Sequence, residues 1–277
     1  MKIGAIEEIE INLLREAIFQ RYGYDFRQYA HASFKRRIKQ AMASLGIPTI
    51  SVLTARIMHD EPFFQEVVAR ISVVVTEMFR DPLFYQVLRQ RVIPYLKTYP
   101  FIKAWVAGCA TGEEAYSLAI LFQEEGISKR TTIFATDMNE AALEAARDGI
   151  YPLDRIKGYT ANYQKAGGLA SFSDYYHARY GSALLDQGLK RTITFARHNL
   201  ALDNVFSEMH LILCRNVLIY FQPSLQQRAC GLFHDSLVHD GFLGLGLQEV
   251  IREADGVSRF ATFDRKFKIY RRLREVR

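Results

Sequence analysis

The sequence predicts an α/β fold in which a small all-helical domain precedes a parallel sheet with helices on both faces. Helical periodicity without a strand-like segment fills about the first ninety residues. After Pro100, short apolar runs alternate with helical stretches, which is typical of a covered parallel sheet. The connection Thr160–Lys190 carries strand and turn residues and is too long to be structureless. We place the helical domain and linker at residues 1–88 and the α/β domain at 89–277, with a small antiparallel β-subdomain inserted at about 175–195.

The helices of the first domain follow from apolar residues at helical spacing. One stripe runs from Ile9 to Phe19 and a second from Phe34 to Leu45, where Gly46 ends the helix. Three further helices are predicted, over Thr49–His59, Pro62–Ser72 and Asp81–Leu96. Pro82 fits the first turn of the last helix, where its missing N–H group costs little.

The second domain alternates strands with helices. The predicted strands are Ile102–Ala107, Thr131–Thr136, Thr192–Arg197, His210–Cys214, Phe242–Gly246 and, near the sheet edge, Phe267–Arg271. The predicted helices are Glu113–Glu125, Glu140–Arg147 and Pro223–His239. Tyr175 to about Phe195 is predicted as the antiparallel excursion.

Composition excludes several classes of protein. With 277 residues, 49% apolar and 24% charged, the chain has the balance of an ordinary globular protein rather than a disordered or collagen-like one. No apolar run approaches the roughly 20 residues that span a bilayer, and Glu7 and Glu8 interrupt any signal-peptide core. The three cysteines show no metal-ligand spacing. We therefore expect a cytoplasmic protein without a metal site or membrane insertion.

Positive charge is concentrated in two segments. The chain has 36 basic and 30 acidic residues, and residues 21–40 alone carry six basic residues against one acid. Residues 265–277 carry seven basic residues against one acid. Such patches indicate an acidic partner, which composition alone leaves open between nucleic acid, an anionic surface and an acidic protein.

A glycine-containing turn follows the first predicted strand, in the sequence Val106-Ala107-Gly108-Cys109-Ala110-Thr111-Gly112-Glu113-Glu114. A strand that enters such a turn and then a helix exposes backbone to a ligand at Gly108. The turn is neither a dinucleotide fingerprint nor a P-loop, and two carboxylates at the helix start would repel a phosphate. A cationic or hydroxyl-rich ligand fits better. The alternative is an ordinary glycine turn with capping acids.

Asp137 ends the next strand, 25 residues after Gly112. A carboxylate at that edge of the sheet can accept hydrogen bonds from a ribose diol. Together with the absence of a phosphate-binding device, this indicates a nucleoside without phosphates, and S-adenosylmethionine is the candidate cofactor. The alternative is that Asp137 caps the following helix.

These segments resemble the CheR family of chemotaxis receptor methyltransferases. The resemblance rests on the glycine turn with Ala115-Tyr116-Ser117, on Ala135-Thr136-Asp137, on Thr76-Glu77-Met78-Phe79-Arg80, on His198-Asn199-Leu200 and on Cys214-Arg215-Asn216-Val217-Leu218-Ile219-Tyr220-Phe221. It covers nearly the whole chain. Three positions depart from the family pattern: Val74 stands in place of Asn, Met78 in place of Phe, and Gln248-Glu249 in place of Ser-Glu.

The resemblance implies a Rossmann-like S-adenosylmethionine-dependent methyltransferase sheet and a set of site residues. The residues implied to contact the cofactor are Thr76, Arg80, Glu114, Asp137, Asn199, Leu200, Asn216 and Val217. Arg80 is expected near the methionine part and Asp137 at the ribose. Arg80 and Tyr220 are the catalytic candidates, Tyr220 because it would border the transferred methyl group; the alternative for Tyr220 is a buried strand-end tyrosine.

The implied reaction is protein-glutamate O-methylation of chemoreceptors, with S-adenosylhomocysteine as product. A glutamate with a pKa of about 4.3 is already ionised at pH 7, so no general base is needed. The alternative is a non-catalytic module that binds S-adenosylmethionine or S-adenosylhomocysteine. A nucleic-acid methyltransferase is disfavoured because the Cys214-Arg215-Asn216-Val217 segment has no prolines, and a dehydrogenase because the third glycine is missing.

The expected partner is the cytoplasmic helical domain of a chemoreceptor, contacted by a monomer. Arg36, Arg37 and Lys39 are predicted to dock its acidic helices, although a solvated helix face is the alternative. Family members that bind a receptor tail peptide tend to carry a longer glycine-containing turn in the β-subdomain. Here the turn Tyr180-Gly181-Ser182-Ala183 is short, which predicts docking without such a tether.

Overall fold

The N-terminal domain is all helical in the computed structural model, which describes residues 3–71, 76–252 and 259–273. Its helices are α1 (Ile3–Tyr22), α2 (His31–Leu45), α3 (Ile50–His59) and α4 (Glu61–Ile71). Gly46 ends α2 in the left-handed conformation (φ 67°), and the Thr49 side chain caps α3 by accepting a hydrogen bond from the Val52 N–H. The apolar faces of all four helices form one core, which includes Leu14, Ile38 and Phe64.

The helix predicted over Asp81–Leu96 is continuous in path but not uniform. It begins as α5 (Pro82–Val87), widens to a π-helical turn at Leu88–Val92 and ends as α6 (Ile93–Leu96). Pro94 explains the change, because proline has no N–H group to donate and its ring crowds the preceding turn.

A seven-stranded sheet forms the second domain, in the strand order β6-β2-β1-β7-β8-β10-β9. The strands are β1 (Ile102–Ala107), β2 (Thr131–Asp137), β6 (Ile193–Arg197), β7 (Met209–Cys214), β8 (Leu237–Leu245), β9 (Phe260–Asp264) and β10 (Ile269–Arg272). The first five in spatial order are parallel, as predicted, whereas β10 and β9 add an antiparallel hairpin. The sheet is therefore mixed rather than wholly parallel.

Helices cover both faces of the sheet. They are α7 (Glu113–Glu124), α8 (Glu140–Asp148), α9 (Leu153–Lys165), α10 (Gln187–Lys190) and α11 (Pro223–Ser236). Alternate residues of the central strands face opposite cores: Val106 packs in the core that includes α7, and Trp105 in the one that includes Phe233 of α11. Burial on both faces explains why apolar residues occupy consecutive positions in these strands, as in Leu211–Cys214 of β7.

The helix predicted over Pro223–His239 ends earlier than expected. Leu237 has extended backbone (φ −83°, ψ 143°) and begins β8. Strand β8 then bulges against β7, with Asp240 at φ 64° and pairing resumed at Phe242. The predicted helix extended too far because strand β8, which follows Ser236, is also buried and therefore also rich in apolar residues.

The inserted subdomain is a three-stranded antiparallel sheet of order β3-β5-β4. Strands β4 (Tyr176–Arg179) and β5 (Ser182–Leu185) fall within the predicted excursion, whereas β3 (Ile150–Pro152) precedes it. Helix α9 connects them, and Ile193 already belongs to the main sheet. A three-residue strand that ends in proline carries too little periodicity to be predicted.

No single described helix is long and apolar enough to cross a membrane. Helices α2 and α3, with a 77° bend between them, reach the required length and apolar composition only when they are taken together. Within residues 3–71, 76–252 and 259–273, no group of three or more His, Cys, Asp or Glu side chains could hold a metal ion.

Candidate functional site

A cavity of about 380 Å³ lies where β1, β2 and β7 end beneath the helical domain, a size typical of small-molecule sites. All nine predicted cofactor residues line it: Thr76, Arg80, Gly108, Glu114, Asp137, Asn199, Leu200, Asn216 and Val217. Tyr220 and Arg37 line it too, whereas Arg36 and Lys39 lie on a separate shallow groove of α2. Val74 is outside the described residues.

The glycine turn is shaped by close packing. Gly108 has φ 74°, and a Cβ atom there would lie 2.5 Å from Cγ2 of Val217. Its N–H group and that of Cys109 both donate to the Thr136 carbonyl, at 2.8 and 2.9 Å. Glycine at position 108 therefore lets the β1 turn and the β7 loop meet at the cavity.

Asp137 anchors this turn from the neighbouring strand. Its Oδ2 accepts a hydrogen bond from Ala110 N–H and its Oδ1 one from Asn139 N–H, both at 2.9 Å. The cap of α8 is Asn139, whose side chain accepts from Ala142 N–H. Burial raises the pKa of the Asp137 carboxyl, although the backbone hydrogen bonds oppose the shift. Each oxygen can still accept a further hydrogen bond, such as one from a ribose hydroxyl.

The two glutamates at the start of α7 have different roles. Glu113 is fully buried, and its carboxylate accepts hydrogen bonds from the Thr111 hydroxyl at 2.7 Å and the Tyr159 hydroxyl at 3.2 Å. Burial raises the pKa of this carboxyl. Glu114 instead lines the cavity. Only Glu114 is therefore placed to meet a ligand.

Sequence reasoning missed Arg215 as a site residue. Its guanidinium donates to Glu114 Oε1 at 2.7 Å, to Asp81 Oδ2 at 2.6 Å and to the Arg80 carbonyl at 3.1 Å. The side chain is 2% exposed and lies over the Phe84 ring at 4.2 Å. Arg215 thus holds the Arg80 segment against Glu114. A charged residue directly after an apolar strand was the available signal.

Glu249 supports the cavity wall that Asn216 and Val217 form in the loop after β7. Its carboxylate accepts hydrogen bonds from the N–H groups of Gly246 at 2.6 Å, Asn216 at 3.0 Å and Val217 at 2.8 Å. These bonds support Asn216 at φ 61°, a conformation that costs non-glycine residues energy. Gln248, the neighbouring departure from the family pattern, is exposed. The departure therefore leaves the supporting carboxylate in place.

The helical domain forms the remaining wall, through Phe26, Tyr29, Phe34 and Arg37. The Arg37 guanidinium lies 5.1 Å from the Tyr220 ring centroid. Burial lowers the pKa of Arg37. Arg37 therefore faces the cavity. It was predicted to dock a receptor together with Arg36 and Lys39, which lie on the outer face of α2 instead.

That outer face is partly neutralised. Lys35 pairs with Glu8 at 2.7 Å and with Glu7 at 3.2 Å, and Lys39 pairs with Glu7 at 2.5 Å. Arg36 is exposed. The net positive charge that the face presents is smaller than its sequence suggests.

Both domains of the chain are similar to known proteins. Residues 74–267 match the family described as CheR methyltransferase, SAM binding domain, and residues 9–72 match its all-alpha domain. A Pseudomonas putida protein provisionally named methyltransferase Cher3 is 48% identical over 265 residues, which cover 96% of this chain and 97% of that protein. A Listeria innocua chemotaxis protein methyltransferase is 29% identical over 236 residues, 84% of this chain and 87% of that one. Chemotaxis protein methyltransferase 1 of Pseudomonas aeruginosa is 28% identical over 239 residues, 81% and 83% of the two chains.

The family match spans every strand of the main sheet that lines the cavity, and it is a match to a binding domain for S-adenosylmethionine. S-adenosylmethionine is accordingly the cofactor. With both of its domains matched, the chain belongs to the CheR methyltransferase family.

Proposed function

We propose that the protein transfers a methyl group from S-adenosylmethionine to glutamate side chains of chemoreceptors, forming glutamate methyl esters. The observation that carries this proposal is that arginines line the same cavity as Glu114 and Asp137: Arg215, which pairs with Glu114 and Asp81, and also Arg37 and Arg80. Carboxylates suit the ammonium group and ribose of the cofactor, whereas guanidinium groups suit an anionic acceptor. Relatives named chemotaxis protein methyltransferases support a chemoreceptor as the acceptor protein.

The donor set fits the cofactor. We assign the ribose hydroxyls to Asp137, whose two oxygens lie at the end of β2, and the ammonium group to Glu114. Arg80 is assigned to the methionine carboxylate or to the incoming substrate carboxylate. The remaining cofactor contacts are assigned to Thr76, Gly108, Asn199, Leu200, Asn216 and Val217.

The bound cofactor supplies a methyl group on a sulfonium, and its transfer to a carboxylate oxygen leaves the neutral thioether S-adenosylhomocysteine without moving a proton. The residues therefore need only orient the acceptor and exclude water. Tyr220 is proposed to border the methyl group, since its ring lies under Arg37 at the cavity wall. Burial raises the pKa of the Cys109 and Cys214 thiols, which favours packing roles for both.

Receptor docking is assigned to the outer face of α2, with Arg36 and Lys39 exposed there and Arg37 at the cavity. An acidic helix bundle is the complementary partner, and such receptor domains place the reaction in the cytoplasm. We further propose that the enzyme acts as a monomer and without nucleic acid.

A methanol-release assay tests the proposal. The protein is incubated with methyl-tritiated S-adenosylmethionine and the cytoplasmic fragment of a chemoreceptor, and methanol freed by base is counted. We expect base-labile label on the fragment, lost when its acceptor glutamates are changed to alanine. Arg91→Ala is a suitable enzyme control, because Arg91 pairs with Asp264 and neither residue lines the cavity. Tight binding of S-adenosylhomocysteine without base-labile label on receptor fragments would instead favour the non-catalytic binding module.

A further inference from the structure

One short segment of the helical domain, Gln28–Ala30 between α1 and α2, joins the second domain at the cavity. Tyr29 forms an antiparallel β-bridge with Phe221. The Ala30 N–H group donates to the Tyr220 carbonyl and the Gln222 N–H group to the Gln28 carbonyl, both at 2.8 Å. Main-chain hydrogen bonds thus connect the helical domain to the loop that carries Tyr220.

The Tyr29 side chain extends from this bridge towards the end of β2. Its hydroxyl donates to the Met138 Sδ atom at 3.2 Å, and its ring centroid lies 5.1 Å from that of Phe221. Tyr29, Met138 and Asp137 all line the cavity. The ring therefore stands beside the residue that directly follows the proposed ribose ligand.

We propose that Tyr29 is a cofactor-binding residue, supplied by the helical domain as one wall of the adenosine subsite. The inference rests on the proposed role of Asp137 at the ribose, because that role places the adenosine end of the cofactor next to Met138. An aromatic ring offers a flat apolar surface that suits a purine. The second domain alone then holds an incomplete cofactor site.

The backbone that carries the Tyr29 ring is held in place before any ligand binds, in addition to the ring's own contacts with Met138 and Phe221. The Tyr29 carbonyl accepts hydrogen bonds from Arg15 Nη2 and Gln222 Nε2, both at 3.4 Å. Arg15 is buried and lies over the Phe34 ring at 4.6 Å. A contact surface that is ordered in advance costs little conformational entropy on binding.

Calorimetric titration of the full chain with two ligands tests the assignment. S-adenosylhomocysteine contains both ends of the cofactor, whereas 5′-methylthioadenosine lacks the amino-acid end. For Tyr29→Ala we expect the affinity for both ligands to fall about tenfold, since both contain the adenosine that the ring contacts. Arg80→Ala, by contrast, is expected to leave the affinity for 5′-methylthioadenosine unchanged, because both carboxylates to which Arg80 is assigned lie away from the adenosine.

Tyr22→Phe is the matched control within the helical domain. Tyr22 stacks on Phe64 and donates to the Ile57 carbonyl, and it does not line the cavity. We expect this variant to lower the melting temperature of the protein while leaving both affinities unchanged. An equal affinity loss in Tyr22→Phe and Tyr29→Ala would show that Tyr29 acts only through domain stability.

Ala30→Pro provides a second test that keeps the tyrosine. Ala30 has φ −53°, which proline accepts, but proline removes the N–H group that donates to Tyr220. We expect severalfold weaker binding of both ligands. Unchanged affinity for 5′-methylthioadenosine in folded Tyr29→Ala, or in Ala30→Pro if Tyr29→Ala does not fold, overturns the inference. The methanol-release assay is independent of this result, so failure of the substrate proposal is recognised separately.

Discussion

Asp137 uses the same two carboxylate oxygens for the fold and for the proposed ligand. They accept the N–H groups of Ala110 and Asn139, and so fasten the glycine turn to the end of β2. The alternative that Asp137 only caps α8 is weakened, because Asn139 provides that cap. Substitution of Asp137 should therefore affect both stability and affinity, which calls for a conservative variant.

For Asp137→Asn we expect the affinity for S-adenosylhomocysteine to fall on the order of ten- to a hundredfold, as charge-assisted hydrogen bonds are worth roughly 1.5–3 kcal/mol. Calorimetry at pH 7 measures the affinity and a thermal melt the stability. The pH dependence gives a sharper readout. Because burial raises the pKa of Asp137 above its usual 3.8, wild-type affinity should fall as the pH is lowered through that raised pKa.

The stability of the free protein should respond to this group with the opposite sign. A carboxyl whose pKa is raised in the folded state contributes stability below its unfolded pKa and loses it as the pH rises through the folded value. Both trends should flatten in Asp137→Asn. A lower melting temperature with unchanged affinity and an unchanged pH profile would leave Asp137 a purely structural residue.

Arg80 is expected to matter for turnover more than for folding. It follows Phe79, a residue at φ 52° whose N–H group donates to the Ser117 hydroxyl, so the backbone around it is tightly fixed. Arg80→Ala should lower methyl transfer at least tenfold, while the urea midpoint of unfolding shifts little. The midpoint and the rate are compared with those of Arg91→Ala, since Arg91 is an exposed arginine that does not line the cavity. Wild-type turnover by Arg80→Ala would contradict the assignment.

Among the elements, the loop after β7 depends on a single carboxylate. Glu249 is 3% exposed and accepts hydrogen bonds from the N–H groups of Gly246, Asn216 and Val217. In Glu249→Gln an NH₂ group replaces one acceptor oxygen and faces N–H donors. We expect a loss of roughly 1.5–3 kcal/mol in the free energy of unfolding, together with weaker cofactor binding through Asn216 and Val217.

Gln248→Ala is the neighbouring control for this loop. Gln248 is exposed, and substitutions of that kind usually change the free energy of unfolding by about 0.5 kcal/mol or less. Urea unfolding and calorimetry of the two variants separate the role of the carboxylate from that of the segment. Equal effects of the two substitutions would rule out a specific role for Glu249.

The sequence predicted elements where one force dominates and missed them where distant contacts decide. Strand β1 was predicted with its observed bounds because burial on both faces makes every residue except the exposed Lys103 apolar. Helix α9 was missed because Leu153–Lys165 is largely polar, contains Gly158 and buries little more than Ile156, Tyr159 and Tyr163. Strand β9 depends on pairing with β10, which no local pattern reveals.

The same distinction holds for the cavity. Residues in recognisable motifs, such as Asp137 and Asn216, were selected from the sequence and lie together in the structure, although their contact with the cofactor stays a prediction. Arg215 and Tyr29 were not selected. Their roles follow from partners 101 and 109 residues away in the chain, Glu114 and Met138. Only the tertiary structure brings such pairs together.

On the scale of the whole molecule, the cavity lies between two domains, and the proposed receptor-binding face lies next to it on α2. Arg37 points to the cavity, whereas Arg36 and Lys39 line the outer groove. Pairing of Lys39 with Glu7 reduces the charge of that face. A receptor with acidic helices would compete with Glu7 for Lys39. We therefore expect docking to be electrostatic and weak.

Receptor docking should therefore depend on ionic strength. Exposed charges are screened over about 8 Å at physiological salt and about 3 Å at 1 M. We expect the KM for a receptor fragment to rise severalfold with added salt and in the double variant R36E/K39E, with little change in kcat. Glu10→Gln is a control on the helical domain. The Glu10 carboxylate accepts a hydrogen bond from the Ser51 hydroxyl, and Glu10 does not line the groove. A salt-independent KM would contradict electrostatic docking.

The β-subdomain gives the complementary prediction, that a receptor tail peptide is not required. The turn between β4 and β5 consists of Tyr180 and Gly181, at φ 49° and 73°, a two-residue hairpin turn. It is shorter than the turn predicted over Tyr180-Gly181-Ser182-Ala183, because Ser182 and Ala183 already pair within β5. A peptide can add to an exposed strand edge, but a turn this short provides few residues to enclose its side chains. Surface plasmon resonance with an immobilised receptor-tail pentapeptide should show no micromolar binding, while receptor fragments with and without the tail are methylated at similar rates. Micromolar binding of the pentapeptide, unaffected by changes at Arg36, Arg37 and Lys39, would show that the tether rather than α2 recruits the enzyme.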